Sequence, residues 1–448
     1  MLVFYLNKNI YLSQNNNMNK NKFNKDLINF IERSTCSFTC ISEIKRILND
    51  SGYIELFESD FNNIKHNKFY IIRNDASIII VDIPKKKSDS FMIITTHTDT
   101  PALLLKSNCA YVKEKYLKLN VMPYGGLLNF GWIDHPLSLS GRVILKEKDV
   151  LKSKIIDFKK PLIIIPSVAI HQKSNSNTNL KLNEQIDLQP IITLSNNPDN
   201  FNNILNKESN GKVLDYDLYA YNIEKPILMG ENKELLVSPR IDNLTSVFSG
   251  LMSFISSSSS NIKIFCGFDN EEIGSLTEEG ADSNFLLNVL KKISSSLNFD
   301  LSSSLQKSFI INSDNTHAVH PNHTEYADES GKAYLNNGIT IVREAGTSTN
   351  SISSSIIKTI CDKNKIKYQD STARSDISGG STLSGINLRH VSVLSIDIGI
   401  SQLSMHSSIE TCGINDIYEL YKLMYYFYKS KIIKNDDKIY ISFNNKNN

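Results

Sequence analysis

The chain has 448 residues, 40% of them hydrophobic and 21% charged, so it can bury a large core and is not disordered throughout. Its 49 Lys+Arg nearly balance 47 Asp+Glu, and a net charge of +2 argues against a dedicated nucleic-acid binder. No apolar run approaches the ~18–20 residues of a membrane span, and the length suits two or three domains of ~100–200 residues each.

In chain order, the opening Met1-Leu2-Val3-Phe4-Tyr5-Leu6 is interrupted by Asn7, Lys8 and Asn9 and lacks the leading charge and cleavage site of a secretory signal. Residues 1–22, rich in Asn and Lys, read as a mobile extension. Helical spacing starts with Phe23, Leu27, Ile28 and Ile31 and resumes with Ile41, Ile44, Ile47 and Leu48, stopping near Gly52. Strands are predicted at Phe69–Ile72, Ser77–Ile83 and Phe91–Thr96, the last apolar enough to be buried on both faces. Residues 110–236 differ in character. The turn Tyr124-Gly125-Gly126, the single Trp132, the run Pro161–Ile165 and an Asn/Ser-rich stretch at 173–185 point to a β-rich unit inserted into the first domain. From 237 the α/β rhythm returns. A helix carries Val247, Phe248, Leu251, Met252 and Ile255; strands follow at Ile262–Phe268, Phe309–Ile311 and Val391–Ile396. The last helix is expected to open with a capping box, Asp416 and Glu419, and a polar tail occupies 435–448. The serine runs 256–260, 294–296 and 302–304 are expected at helix ends or loops on the surface. The plan is thus a discontinuous α/β domain, 23–109 plus 237–434, interrupted at 110–236. Six scattered cysteines, without a paired framework, read as buried thiols of a reducing, cytoplasmic protein.

The chemistry sits where strands end. Phe91–Thr96 runs into His97-Thr98-Asp99, and Ile262–Phe268 into Asp269-Asn270-Glu271-Glu272. Asp314 follows the strand at 309–311, His406 follows the strand at 391–396 after a loop, and Asp242 precedes the Val247 helix. In open α/β sheets ligands bind outside the carboxyl ends of the strands. Any one of these residues is ordinarily structural: a hydrogen-bonded His, a solvated acidic turn, an Asp cap. Together, His97, Asp242, Glu272, Asp314 and His406 form the mixed imidazole/carboxylate set that two divalent metals ~3.5–4 Å apart require. Imidazole and carboxylate without Cys suit catalytic Zn²⁺. Asp99, two residues past His97, can accept its free ring N–H, and Glu271, beside Glu272, can act as general base.

At these residues the sequence resembles the aspartyl aminopeptidase family of co-catalytic zinc exopeptidases, across roughly 23–430. The similarity is carried by Thr96-His97-Thr98-Asp99-Thr100-Pro101, Tyr124-Gly125-Gly126 through Trp132-Ile133-Asp134, Ser140-Gly141-Arg142-Val143, and Ile165-Pro166 with Ala169-Ile170-His171. It continues in Pro239-Arg240-Ile241-Asp242-Asn243-Leu244, Asp269-Asn270-Glu271-Glu272-Ile273-Gly274-Ser275, Asp314 with His317-Ala318-Val319-His320-Pro321-Asn322, and Ser401-Gln402-Leu403 with Met405-His406-Ser407. The resemblance implies a zinc-exopeptidase-like α/β catalytic domain interrupted by a β-rich dimerisation domain. It implies two Zn²⁺ per subunit: His97 and Asp314 on one, Glu272 and His406 on the other, Asp242 between them and Glu271 as general base. His171 would reach a neighbouring subunit's active site, and His317 would line the substrate site. The implied partners are peptide substrates and further copies of the chain in a tetrahedral dodecamer, with neither nucleic acid nor membrane.

Two departures bear on specificity. The family's Asp-Arg-Asp-Leu stands here as Asp134-His135-Pro136-Leu137. The family's lysine and later Arg-Tyr pair are replaced in Val342-Arg343-Glu344-Ala345-Gly346-Thr347, where Val342 takes the lysine position. A pocket for N-terminal Asp or Glu needs a cation. Arg343 supplies it only if the strand slips by one residue, which turns its side chain to the other face; Arg374 is a second candidate. The expectation is removal of N-terminal Asp or Glu. The alternatives are a related zinc exopeptidase of neutral or broad specificity and a non-catalytic assembled relative.

Overall fold

The computed structural model describes residues 19–60, 64–173, 177–178, 180–377, 383–435 and 437–443. Most of the 1–22 segment therefore lies outside the described residues, but helix Lys20–Arg33 begins earlier than Phe23. The Asn19 side chain accepts from the Asn21 amide and caps it, and Phe23, Leu27, Phe30 and Ile31 form its buried face.

The central layer is a nine-stranded mixed sheet. Its strands run in the order 54–55, 68–73, 77–82, 262–268, 91–97, 309–313, 394–399, 339–342, 368–371. The four inner strands 262–268, 91–97, 309–313 and 394–399 are mutually parallel. Consecutive side chains alternate between two cores, which is why these segments read as unbroken apolar runs. Met92, Ile94 and Phe265 join helices Lys20–Arg33, Ser37–Asp50, Ile241–Ser256, Ser351–Asn364 and Ile414–Lys429 on one face. Phe91, Ile93, Ile264 and Cys266 pack with helix Phe285–Leu297 on the other.

A second, antiparallel sheet of six strands has its own core around Trp132, Leu137 and Leu218, with helix Asn200–Ser209 packed on it. All its strands fall between Ala102 and Asn222. The β-rich sheet thus starts earlier than residue 110, and the strands at 227–229 and 235–238 join a smaller sheet with 410–413, 401–403 and 316–317. That smaller sheet ties the return from the insertion to the segments bearing His317 and His406.

Other expectations are corrected. The strand predicted at Val391–Ile396 spans Leu394–Gly399, because the Val391 amide still bonds the Asn387 carbonyl at the end of helix Leu383–His390. Helix Ile414–Lys429 has Gly413 as N-cap and no capping box. Asp416 accepts instead from the amides of Asn336 and Gly338, at 2.6 and 2.7 Å, and Glu419 accepts from Lys367 and pairs with Lys422. The serine run at 294–296 does fall at a helix end, the last turn of Phe285–Leu297, whereas 302–304 lies within the short helix Leu301–Leu305, and Ser294 and Ser304 are buried rather than on the surface. Hydroxyl bonds to carbonyls one turn back, such as Ser294 to Lys291, accommodate them. The tail carries a hairpin, Ser430–Asn435 with Lys438–Phe443. All six cysteines are free and buried. Among the described residues no helix is long and apolar enough to cross a membrane.

Candidate active site

Three neighbouring parallel strands deliver the site. His97 is the last residue of strand 91–97, Glu271 and Glu272 sit on a single 3-10 turn after strand 262–268, and Asp314 follows strand 309–313. Asp242 lies in the first turn of helix 241–256, and His406 in the connection between strands 401–403 and 410–413. Pairing in the central sheet sets Phe268 beside His97, so the adjacent chain ends converge at one edge. The turn holding the glutamates needs left-handed backbone at Asn270 (φ 63°), which Asn tolerates, and at Gly274 (φ 98°).

The six side chains line one cavity of about 760 Å³. Asp242 presents one carboxylate oxygen to each imidazole: Oδ1 is 3.4 Å from His97 Nε2, and Oδ2 is 3.4 Å from His406 Nε2. His97 Nε2 is also 3.2 Å from Asp314 Oδ1, and His406 Nε2 is 3.6 Å from Glu272 Oε2. Ligating atoms of His97, Asp242 and Glu272 lie within 4.8 Å of one another, as do those of His97, Glu271 and Asp314. Each imidazole is oriented through its other nitrogen: His97 Nδ1 faces the Asp99 carbonyl at 3.1 Å and its carboxylate at 3.3 Å, and His406 Nδ1 faces the Gly126 carbonyl at 2.8 Å.

Burial dominates the electrostatics. It pushes Glu272 and Asp314 above the usual carboxylate range, the Asp242 charge adding to the rise of Glu272, and it pushes Glu271 up to about 8 against the pull of His97. Burial also works to raise Asp242, but its bonds to His406 and His97 outweigh it and hold that carboxyl low. For the imidazoles burial works downward and is overcome: Asp314 and Asp242 raise His97, and Asp242 and Glu272 raise His406 to about 10. The buried oxygens Asp242 Oδ1 and Glu272 Oε1 have no hydrogen-bond donor. Carboxylate oxygens left without a donor, gathered with two imidazole nitrogens in one pocket, fit a divalent cation, and the donor set fits zinc.

A family model described as aminopeptidase I zinc metalloprotease (M18) matches residues 30–428. The chain belongs to the M18 family of zinc aminopeptidases. It is a metallo-aminopeptidase, a hydrolase. Among curated relatives, the probable M18 family aminopeptidase 2 of Clostridium novyi (strain NT) is 39% identical over 429 residues, covering 92% of this chain and 99% of that protein. Among solved structures, a cryo-EM structure of the Ape4 and Nbr1 complex aligns with a TM-score of 0.87 at 29% identity, over 92% of this chain and 86% of that one. The S. cerevisiae mApe1 dodecamer aligns with a TM-score of 0.79 at 24% identity, over 90% and 96%. At that identity the second likeness speaks for the fold alone.

In this M18 chain the remaining predicted residues divide. His317 is exposed and lines the cavity. Asp99 stands behind His97, where its Oδ2 accepts from the Tyr124 hydroxyl at 2.8 Å and from the Glu272 amide at 3.1 Å. His171 is exposed on the β-rich unit, and neither it nor Arg343 is among the described residues lining the cavity. Val342 is buried and does line it, so strand register points Arg343 away. Arg374 reaches the cavity wall, but Asp376 holds its guanidinium through two bonds of 2.8 and 2.6 Å, and the Glu325 carbonyl accepts from it as well. Sequence reasoning missed Tyr124 and Glu410. Tyr124 belongs to a Gly-rich turn already conspicuous in the sequence. Gly125 there (φ 80°) leaves only 3.0 Å between a would-be Cβ and Glu272 Oε2, a reason for glycine at that point. Glu410 carries no signal of its own in the sequence.

Proposed function

We propose that this M18 enzyme removes single N-terminal residues from peptides, with two zinc ions per subunit and Glu271 as general base. His97 and Asp314 would hold one zinc, Glu272 and His406 the other, and Asp242 would be shared. The observation that carries this reading is Asp242, whose two oxygens face separate imidazoles at equal distances. When bound, the zinc ions supply Lewis acidity and acidify water. Glu271 takes the proton of the attacking water and hands it to the leaving amine nitrogen. His317, exposed and lining the cavity, would face the oxyanion of the tetrahedral intermediate. The surplus of carboxylates suits the free α-amine of the substrate, which favours exopeptidase action. Glu271→Gln should keep its zinc and lose turnover by ~10²–10⁴-fold. Near-normal turnover with zinc retained would remove Glu271 from this role.

For the first substrate residue, an acidic side chain needs a free cation on the pocket wall. Val342 buried in that wall, Arg343 outside it and Arg374 engaged by Asp376 favour the second reading, neutral or broad specificity. With Asp-, Glu-, Leu- and Lys-naphthylamides, Leu should be cleaved at least as well as Asp. A clear preference for Asp or Glu would restore the acidic pocket, with Arg374 as its cation. A non-catalytic role is the weaker alternative, since the full ligand set and Glu271 are retained; absence of both bound zinc and turnover would favour it. Assembly as a homo-oligomer, a tetrahedral dodecamer, belongs to the same reading, and the exposed apolar Val168 and Ile170 of the β-rich unit support an association surface. The six buried free thiols support a cytoplasmic setting. The near-neutral charge supports neither nucleic-acid nor membrane partners.

A further inference from the structure

Behind the candidate ligands runs a chain of buried hydrogen bonds that the peptidase reading does not use. Its centre is Glu410, the first residue of strand 410–413 and only 2% exposed. Glu410 Oε2 accepts from the Asp242 backbone amide at 3.0 Å. Its Oε1 accepts from the His406 amide at 2.9 Å and from Gln402 Nε2 at 3.1 Å. Gln402 Oε1 accepts in turn from Asn315 Nδ2 at 2.9 Å, and the Asn315 amide donates to Asp314 Oδ1 at 2.8 Å. One carboxylate thus clamps the backbones of two candidate ligands from different elements and is linked to a third.

The clamp is aimed at an unusual point. His406 has left-handed backbone (φ 66°). A non-glycine residue there costs on the order of 1–3 kcal/mol and persists only where its surroundings over-determine it. The Glu410 bond to the His406 amide, the Leu128 amide on the His406 carbonyl at 3.1 Å and Gly126 on the imidazole supply that determination.

We infer that Glu410 is a positioning residue that sets the His406 side of the zinc pair by fixing the His406 and Asp242 backbones. This rests on the two-zinc reading above. Glutamine cannot replace it: an amide accepts at one end only, so its NH₂ would confront either the Asp242 amide or the pair of His406 and Gln402 donors.

The test is zinc titration of the full-length wild type, Glu410→Gln and Gln402→Met, with circular dichroism, melting and turnover alongside. Wild type should take two zincs per chain. Folded Glu410→Gln should bind one of them ~10–100-fold more weakly, and turnover should return as free zinc is raised. Gln402→Met, which removes one donor, should shift the same zinc less. Two zincs at unchanged affinity in Glu410→Gln would overturn the inference while leaving the two-zinc reading standing. Equal weakening of both zincs with a lower melting point of the zinc-free protein would also overturn it, as a general structural role. If Glu410→Gln fails to fold, Gln402→Met decides, and an unmoved second zinc there overturns the inference. A wild type that cannot take two zincs overturns the parent reading and this inference together.

Discussion

Two imidazoles and four carboxylates crowded into one buried cluster coexist without a cation only by sharing protons. His406 raised to about 10 and Glu271 to about 8 express that sharing. A divalent cation replaces those protons, so zinc binding near neutral pH should release them to solvent, and zinc affinity should fall as pH falls because protons then compete for the same atoms. Calorimetry of zinc binding to metal-free protein in buffers of different ionisation enthalpy measures the release directly. No net proton release would mean that the cluster is already ionised and that these ligands are misassigned. This is also where the sequence was most legible. His97, Asp242, Glu272, Asp314 and His406 carry distinctive side chains at element ends, a pattern readable without coordinates. Glu410 acts on backbone amides from across a small sheet, and nothing in its neighbours announces a role defined by a distant N–H.

Helix Ile241–Ser256 is buried almost along its whole length and packs directly on strand 262–268, with Asp242 in its first turn. The contact depends on Gly250: a Cβ there would lie 2.4 Å from Phe265 Cε2 and 3.0 Å from Cδ2, in a ring that is itself fully buried. Gly250→Ala should gain up to ~1 kcal/mol in helix propensity but lose more to overpacking, typically ~1–3 kcal/mol. The net outcome is lower stability in urea unfolding, and an unchanged or raised midpoint would show that Phe265 has room to move. At this scale, strands buried on both faces were readable because every position is apolar. The ends of elements were not. Val391 kept its helical hydrogen bond, and Asp416 was drawn from the expected cap to a loop some eighty residues distant in sequence, a tertiary choice invisible to local spacing.

At the scale of the whole molecule, the β-rich unit leaves large apolar side chains uncovered near His171, among them Val168 at 53% and Ile170 at 45% exposure. Exposed apolar clusters of this kind mark association surfaces. Light scattering should find an oligomer, and Val168→Asp with Ile170→Asp should lower its mass and, if His171 serves a neighbour's site, its turnover as well. A mass unchanged by both substitutions would place the association elsewhere. The insertion was legible as a change of texture, but its edges were not, since strand 102–113 belongs to it while 227–229 and 235–238 have crossed to the smaller sheet. That interruption also orders events during synthesis. Strand 91–97 leaves the ribosome early, yet its two sheet neighbours, 262–268 and 309–313, come much later. Every strand of the six-stranded sheet lies in between and can pair first, as a unit. On the two-zinc reading His97 must therefore wait for His406, the last of the proposed ligands to emerge, so complete metal loading would be a late event, and a nascent chain stopped short of His406 would lack one proposed ligand.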